Sequence, residues 1–237
     1  MEMLQRYASE FSTVEVPDTF SGIPPESLMK DWHEAVPAGF KFSLRIPQQV
    51  THERRFADSD RLLQRFLERA SLLEEKLGPL LMAIPVGFVP NEETRKTIAG
   101  FLKSLPTGFS WVLECRRADW LTDSFLEVME GVNVALALIE GRWMRRNLML
   151  KLAQSPTADF MYLRVMGKRP SGNEASDQLE RKRALTTWST IVGEMRAAVE
   201  YVAVYFSERF DSAACPHCVR DFGDLLGVMS YPPADRA

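Results

Sequence analysis

Arginines and glutamates recur near the ends of short apolar stretches in this sequence. Arg45 closes "FKFSLRI", Glu114 and Arg116 close "WVLECR", Arg164 lies in "FMYLRVM", and Glu15 lies in "TVEV". In an extended strand successive side chains alternate between faces, so Lys41, Ser43 and Arg45 oppose Phe40, Phe42, Leu44 and Ile46. By the same alternation Glu114 and Arg116 share a face, as do Tyr162 and Arg164. Guanidinium groups gathered in this way clamp an anion bidentately. A carboxylate among them, Glu114 or Glu15, becomes a general base once a ligand strips its water. Thr51-His52 follows the Arg45 stretch and adds an imidazole, whose ordinary pKa lies near neutrality. The competing reading is a structural layer of ion pairs. Three arginines against two carboxylates leave surplus positive charge, which is costly to bury unless a ligand or water meets it. The expected catalytic set is therefore Glu114, Glu15 and His52. The expected substrate-binding set is Arg45, Arg116, Arg164, Thr51 and Tyr162.

Other chemistries find less support. The three histidines, His33, His52 and His217, form no H-x-H or H-E-x-x-H spacing, so neither a metal site nor a cofactor is predicted. A divalent ion held by carboxylates alone stays open. Cys215 and Cys218 have the C-x-x-C spacing of a redox pair, at a point where a helix start would lower a thiol pKa. The surrounding βαβ context of a thioredoxin is missing, and a tetrahedral zinc needs four ligands. They read as small apolar residues at a helix start, with a redox-sensitive pair as the alternative. No Gly-rich phosphate loop or G-x-S-x-G elbow is found. The basic clusters Arg142, Arg145, Arg146 and Arg181, Lys182, Arg183 read as solvated faces. The segment "GRWMRRNLML" that holds the first cluster reads either as a lid or as a packed partner surface.

The elements that must position these residues are legible as a rhythm. A helix over Met3–Phe11 precedes the strand "TVEV", and a helix in "PPESLMKDWHEAV" precedes the strand "FKFSLRI". "SDRLLQRFLERASLLEEKLG" is predicted helical, capped by Ser59 and ended by Gly78. "PLLMAI" is a strand, and "NEETRKTIAGFLKSL" a helix with Asn91 as cap. Strands "FSWVLEC", "NVALALIE", "DFMYLRVMG" and "EYVAVYF" follow, with helices among them and "PHCVRDFGDLLG" last. Seven strands alternating with helices predict a parallel sheet with helical crossovers. At 237 residues, close to the size of a β/α barrel, the expectation is one TIM-type barrel domain, residues 1–237, lacking the first strand. The polar ends of the strands then meet at the barrel's C-terminal mouth. The unpaired sheet edges would call for a partner or for cover by the N-terminal helix and the irregular segment.

Bulk properties narrow the partners. The formal charge of −3 argues against tight nucleic-acid binding. No apolar run approaches the roughly 20 residues of a membrane span, and "MEMLQRYASEF" lacks the apolar core of a signal peptide. Three cysteines do not make a disulfide framework, which suggests a reducing, cytoplasmic setting. A small anionic molecule is the expected ligand.

Several motifs occur together in a particular order. Phe11, Val14, Glu15, Thr19, Phe20, Trp32, Phe40, Phe42, Thr51 and His52 lead it. "KLGPLLMAIP", then Glu114, Arg116 and Trp120, then Tyr162, Arg164 and Gly167, then "VAVYFSE" complete it. This order resembles the domain-of-unknown-function family 72, the YecE-like proteins, over about residues 3–226. The resemblance implies a β/α barrel and places its pocket without naming a substrate. It also implies that several family positions are altered here. Pro17 stands for an asparagine, Arg45 for a lysine, Glu140 for an aspartate, Met166 for a histidine, and Ser207 and Glu208 for an asparagine pair. The family's glycine-rich first strand is not matched. Two functional expectations follow. One is a hydrolase or lyase acting on an anionic or phosphate-bearing small molecule. The other is a catalytically degenerate barrel that binds a ligand or a protein.

Overall fold

The computed structural model describes residues 1–141, 143–167, 171–207 and 215–227, without the side chains of 215–217. Two compact units divide the chain, Met1–Val128 and the described residues of Met129–Ser230. No helix among the described residues is long and apolar enough to cross a membrane.

The first unit carries α1 (Glu2–Ala8), β1 (Thr13–Val16), α2 (Glu26–Ala35), β2 (Lys41–Arg45), α3 (Asp60–Ala70), β3 (Leu77–Ala83), α4 (Glu92–Ser104) and β4 (Trp111–Glu114). The helix α5 (Asp123–Glu130) crosses into the second unit. The four strands are parallel and pair in chain order, with Glu15 level with Ser43, Arg45 with Leu81, and Ala83 with Glu114. Alternation in β2 sorts its side chains as the sequence predicts. Phe42 stacks on Trp32 of α2, with centroids 5.7 Å apart and planes 12° from parallel. That contact sets Phe42 and Leu44 toward the helices and Ser43 and Arg45 toward the opposite face.

α3 buries Leu63, Phe66, Leu67 and Ala70, an i, i+3, i+4, i+7 stripe. Its ends differ from the sequence expectation. Ser59 occupies the cap position, but its side chain accepts no cap bond, and its buried hydroxyl has no partner among the described residues. The helix stops at Ala70 and passes into a tight turn, Ser71–Lys76, in which Glu74 takes a φ of 48°. Lys76 closes this turn. It is 6% exposed and donates to the carbonyls of His33 (2.5 Å) and Val36 (2.8 Å), satisfying the C-terminal end of α2. Gly78 lies inside β3, where a Cβ would come within 3.1 Å of the Phe42 carbonyl oxygen. Its glycine serves a close strand approach and not a helix end. The Asn91 cap is observed in full. The Thr94 amide donates to Asn91 Oδ1 and the Asn91 amide to Thr94 Oγ1, both at 2.8 Å.

The second unit carries β5 (Val134–Glu140), α6 (Arg146–Ala153), β6 (Phe160–Val165), α7 (Glu174–Met195), β7 (Tyr201–Phe206) and α8 (Cys215–Leu226). Its strands are also parallel and pair in chain order, with Ile139 level with Arg164, and Arg164 with Tyr205. Every residue of β5 is buried, as the continuous apolar run of a two-sided parallel strand requires. Gly141, just past β5, has a φ of +103°, and a Cβ there would lie 2.7 Å from the Gly167 carbonyl oxygen. Glycine is required at this point for both reasons.

Candidate acid–base site

Three segments of the first unit build the site. The turn Pro17–Phe20 follows β1, and its Thr19 hydroxyl donates to the Arg45 carbonyl and accepts from the Arg45 amide, both at 2.8 Å. Thr19 thus fixes the end of β2. Phe20, the next residue, lies under the Arg45 guanidinium, with 4.5 Å between Cζ and the ring centroid. After β2 the chain forms a single wide π-helical turn, Gln49–Glu53, a form that often marks functional sites. Val50 and Thr51 are buried in it, which presents His52. The His52 ring meets Phe20 edge to face at 4.9 Å, and its Nδ1 shares a 2.8 Å hydrogen bond with the Thr51 hydroxyl. Just beyond, Arg55, Phe56 and Asp58 hold left-handed φ values of 50°, 68° and 46°. Side chains of this size rarely tolerate that region, so the loop stores strain. Phe56 anchors it by packing on Phe101, with centroids 5.2 Å apart.

β4 supplies the third part. Glu114, its last residue, is 0% exposed, and Arg116 Nε donates to Glu114 Oε1 at 2.5 Å. These groups meet electrostatically at His52. Burial comes first in lowering the His52 pKa from its ordinary 6.5; the Arg116 and Arg45 charges lower it further, and Glu114 opposes them. The imidazole is therefore neutral at pH 7. When Nδ1 carries the proton and donates it to Thr51, Nε2 is left as a base.

The first unit thus brings together Arg45, Thr51, His52, Glu114 and Arg116. Glu15 lies on β1, half-buried and level with Ser43, one alternation short of Arg45 on the same face. Tyr162 and Arg164 belong to β6 in the second unit. Both are buried, and the Tyr162 ring packs on Tyr205 at 4.9 Å. Thr19 and Phe20 position the site but are absent from the predicted set. The motif that carries the family resemblance includes both, and only the fold shows that Thr19 reaches a residue 26 positions away.

Glu140 was also outside the predicted site. It ends β5, is 4% exposed, and accepts from Arg146 Nε (3.0 and 2.9 Å), Arg146 Nη2 (2.5 Å) and Trp188 Nε1 (2.8 Å). Arg146 is therefore not part of a solvated basic face as expected; a buried carboxylate draws it in, and the hydrogen bonds to Glu140 raise its pKa. Arg142 lies outside the described residues.

Among the described residues, the donor atoms of His33, Glu74 and Glu75 lie within 4.8 Å of one another, a grouping that linear spacing does not reveal. Lys76 and Lys41 donate to the His33 and Glu75 carbonyls beside it, and their positive charges oppose a cation there. Cys115 is buried, and that burial pushes its thiol pKa far above the usual range, so it is chemically quiet. The side chain of Cys215 lies outside the described residues, so the Cys215–Cys218 expectation does too.

The family model described as protein of unknown function DUF72 matches residues 1–236. The chain belongs to the DUF72 family. It is 30% identical to the UPF0759 protein YecE of Escherichia coli K12 over 117 residues, which cover 49% of this chain and 42% of that protein. The match thus spans less than half the length of that curated relative. A crystal structure of a DUF72 family protein from Enterococcus faecalis V583 is similar, with a TM-score of 0.75 and 22% identity over 97% of this chain and 89% of that one. A second, from Thermotoga maritima MSB8, has a TM-score of 0.74 and 19% identity over 93% of this chain and 86% of that one. These likenesses show the fold, an α/β barrel of the TIM type, here with seven parallel strands among the described residues.

Proposed function

We propose that this DUF72 barrel protein is a hydrolase or lyase for a small anionic substrate, with its acid–base site in the first unit. The carrying observation is the His52 imidazole, hydrogen-bonded to Thr51 and close enough to Arg116, Arg45 and Glu114 for their charges to act on it. Arg45 and Arg116 receive the anion. His52 moves the proton, a role that suits a base poised near the working pH. Glu114 holds Arg116 in place and is a weaker candidate for the base while that ion pair persists. Glu15 lies on the same face as Arg45 and is the second carboxylate available to the reaction. The binding event itself would raise the basicity of His52, because an anion between the guanidiniums offsets the charges that depress it.

A second reading is a binder without turnover. It is favoured by the closed Glu114–Arg116 pair, which satisfies two of the polar groups without a substrate.

The test is calorimetric titration with small carboxylates and phosphate esters, followed by a turnover screen for hydrolysis and elimination. Losing a hydrogen bond to a charged group costs about 1.5–3 kcal/mol, so Arg45→Ala should weaken binding roughly tenfold or more. His52→Gln should lower kcat by about 100-fold or more. Binding that depends on Arg45 without any turnover would select the binder. Binding and turnover that ignore both substitutions would remove the site altogether.

A further inference from the structure

Glu140, Gly141 and residues 144–148, among the described residues, line a partly open cavity of about 450 Å³ in the second unit. Glu140, Arg145, Arg146 and Asn147 supply its polar lining, and Met144 and Leu148 its apolar lining. We propose that this cavity binds a small phosphate monoester, with the phosphate held by Arg145 and Arg146 and the organic body against Met144 and Leu148.

The charge of the lining favours an anion. Glu140 and, from outside the lining, Glu180 at 3.8 Å both engage Arg146, so the exposed Arg145 is the cation of the lining that offers most of its charge to an anion. Glu140 orients Arg146 through three hydrogen bonds and is itself fixed by the Trp188 indole, so one wall of the cavity is organised in advance. Arg145 is exposed and stands at the rim. Guanidinium groups match the several oxygens of a phosphate.

The floor is rigid. Gly141 closes against the Gly167 carbonyl with no room for a side chain. The volume falls within the roughly 300–1,000 Å³ of small-molecule pockets, so there is room for a body beyond the phosphate group. The sequence reading took Arg145 and Arg146 for a solvated face, and the acid–base site in the first unit uses neither. This proposal therefore stands apart from the proposed function.

The test uses glycerol 2-phosphate and inorganic phosphate as probes, titrated calorimetrically at low salt in an Arg45→Ala background. That background removes the anion contact of the first unit. Binding is expected with a Kd of about 1 mM or tighter, and adding Arg145→Glu should weaken it at least about tenfold. Arg145 is exposed, so this variant should keep its fold, which circular dichroism checks. A second variant, Gly141→Ala, should reduce binding by displacing the floor. The proposal is overturned if neither probe binds below about 10 mM in the Arg45→Ala background. It is also overturned if Arg145→Glu leaves binding intact, or if acetate binds as tightly as the phosphates. If wild type binds phosphate and the Arg45→Ala protein does not, the ligand belongs to the acid–base site and the cavity proposal fails while the proposed function stands.

Discussion

Two buried carboxylates end adjacent strands in the sequence, Glu114 on β4 and Glu140 on β5, and each meets an arginine a few residues downstream. Their surroundings differ. Glu140 is gripped by both sides of the Arg146 fork and by the indole of Trp188, none of which changes charge near neutral pH. Glu114 lies beside an imidazole whose charge does respond to pH in that range, and it acts on that imidazole in opposition to Arg45 and Arg116. The same pair of residue types at the same strand position can thus serve as a clasp or as part of a proton-handling site. The neighbours decide which.

The largest expected effect breaks the clasp. Removing one partner of a buried ion pair leaves an uncompensated charge, so Arg146→Ala should cost about 3–5 kcal/mol. Urea unfolding measures it, and adding Glu140→Gln should recover part of the loss by removing that charge. A cost below about 1 kcal/mol would show that Glu140 is not held as described. The next effect is Trp188→Phe, which keeps the aromatic packing but removes one hydrogen bond to a charged acceptor. It should cost about 1.5–3 kcal/mol in the same assay, with no change in any activity of the first unit.

The smallest effect sharpens the other side of the comparison. The folded-state pKa of His52 lies below its unfolded value, so the unfolded chain binds more protons in the interval between the two. Stability should then rise with pH across that interval, and fall as the solution is acidified through about 6.5 toward the depressed folded value. His52→Gln should flatten this part of the profile between pH 7.5 and 5.5. An unchanged slope would mean that the imidazole is not burdened by its neighbours.

The fold was largely legible in the sequence because its signals are local. Strict alternation in "FKFSLRI" placed Phe42 against the helices and Arg45 opposite, and the i, i+3, i+4 stripe of α3 marked its buried face. The Asn91 cap needed only a residue three positions away. Where local signals failed, a distant group had intervened. Gly78 looked like a helix end, but it lies inside β3, just after a Lys76 that reaches back some 40 residues to α2. Ser59 has the right chemistry for a cap, yet its hydroxyl is buried away from the amides it should serve. In the site, Glu114 and Arg116 are visible as a pair because they lie two positions apart. The Thr19 support of Arg45 and the Trp188 hold on Glu140 span 26 and 48 residues, and no spacing rule connects them.

The clasp of Lys76 on the end of α2 has a practical consequence. An amine that is 6% exposed and held on two carbonyls is shielded from an acylating reagent, whereas the neighbouring strand's Lys41, which also donates to a carbonyl, is exposed and within reach of one. Labelling at position 76 therefore becomes a clock for the opening of this part of the barrel, read by mass spectrometry against the constant background of surface amines.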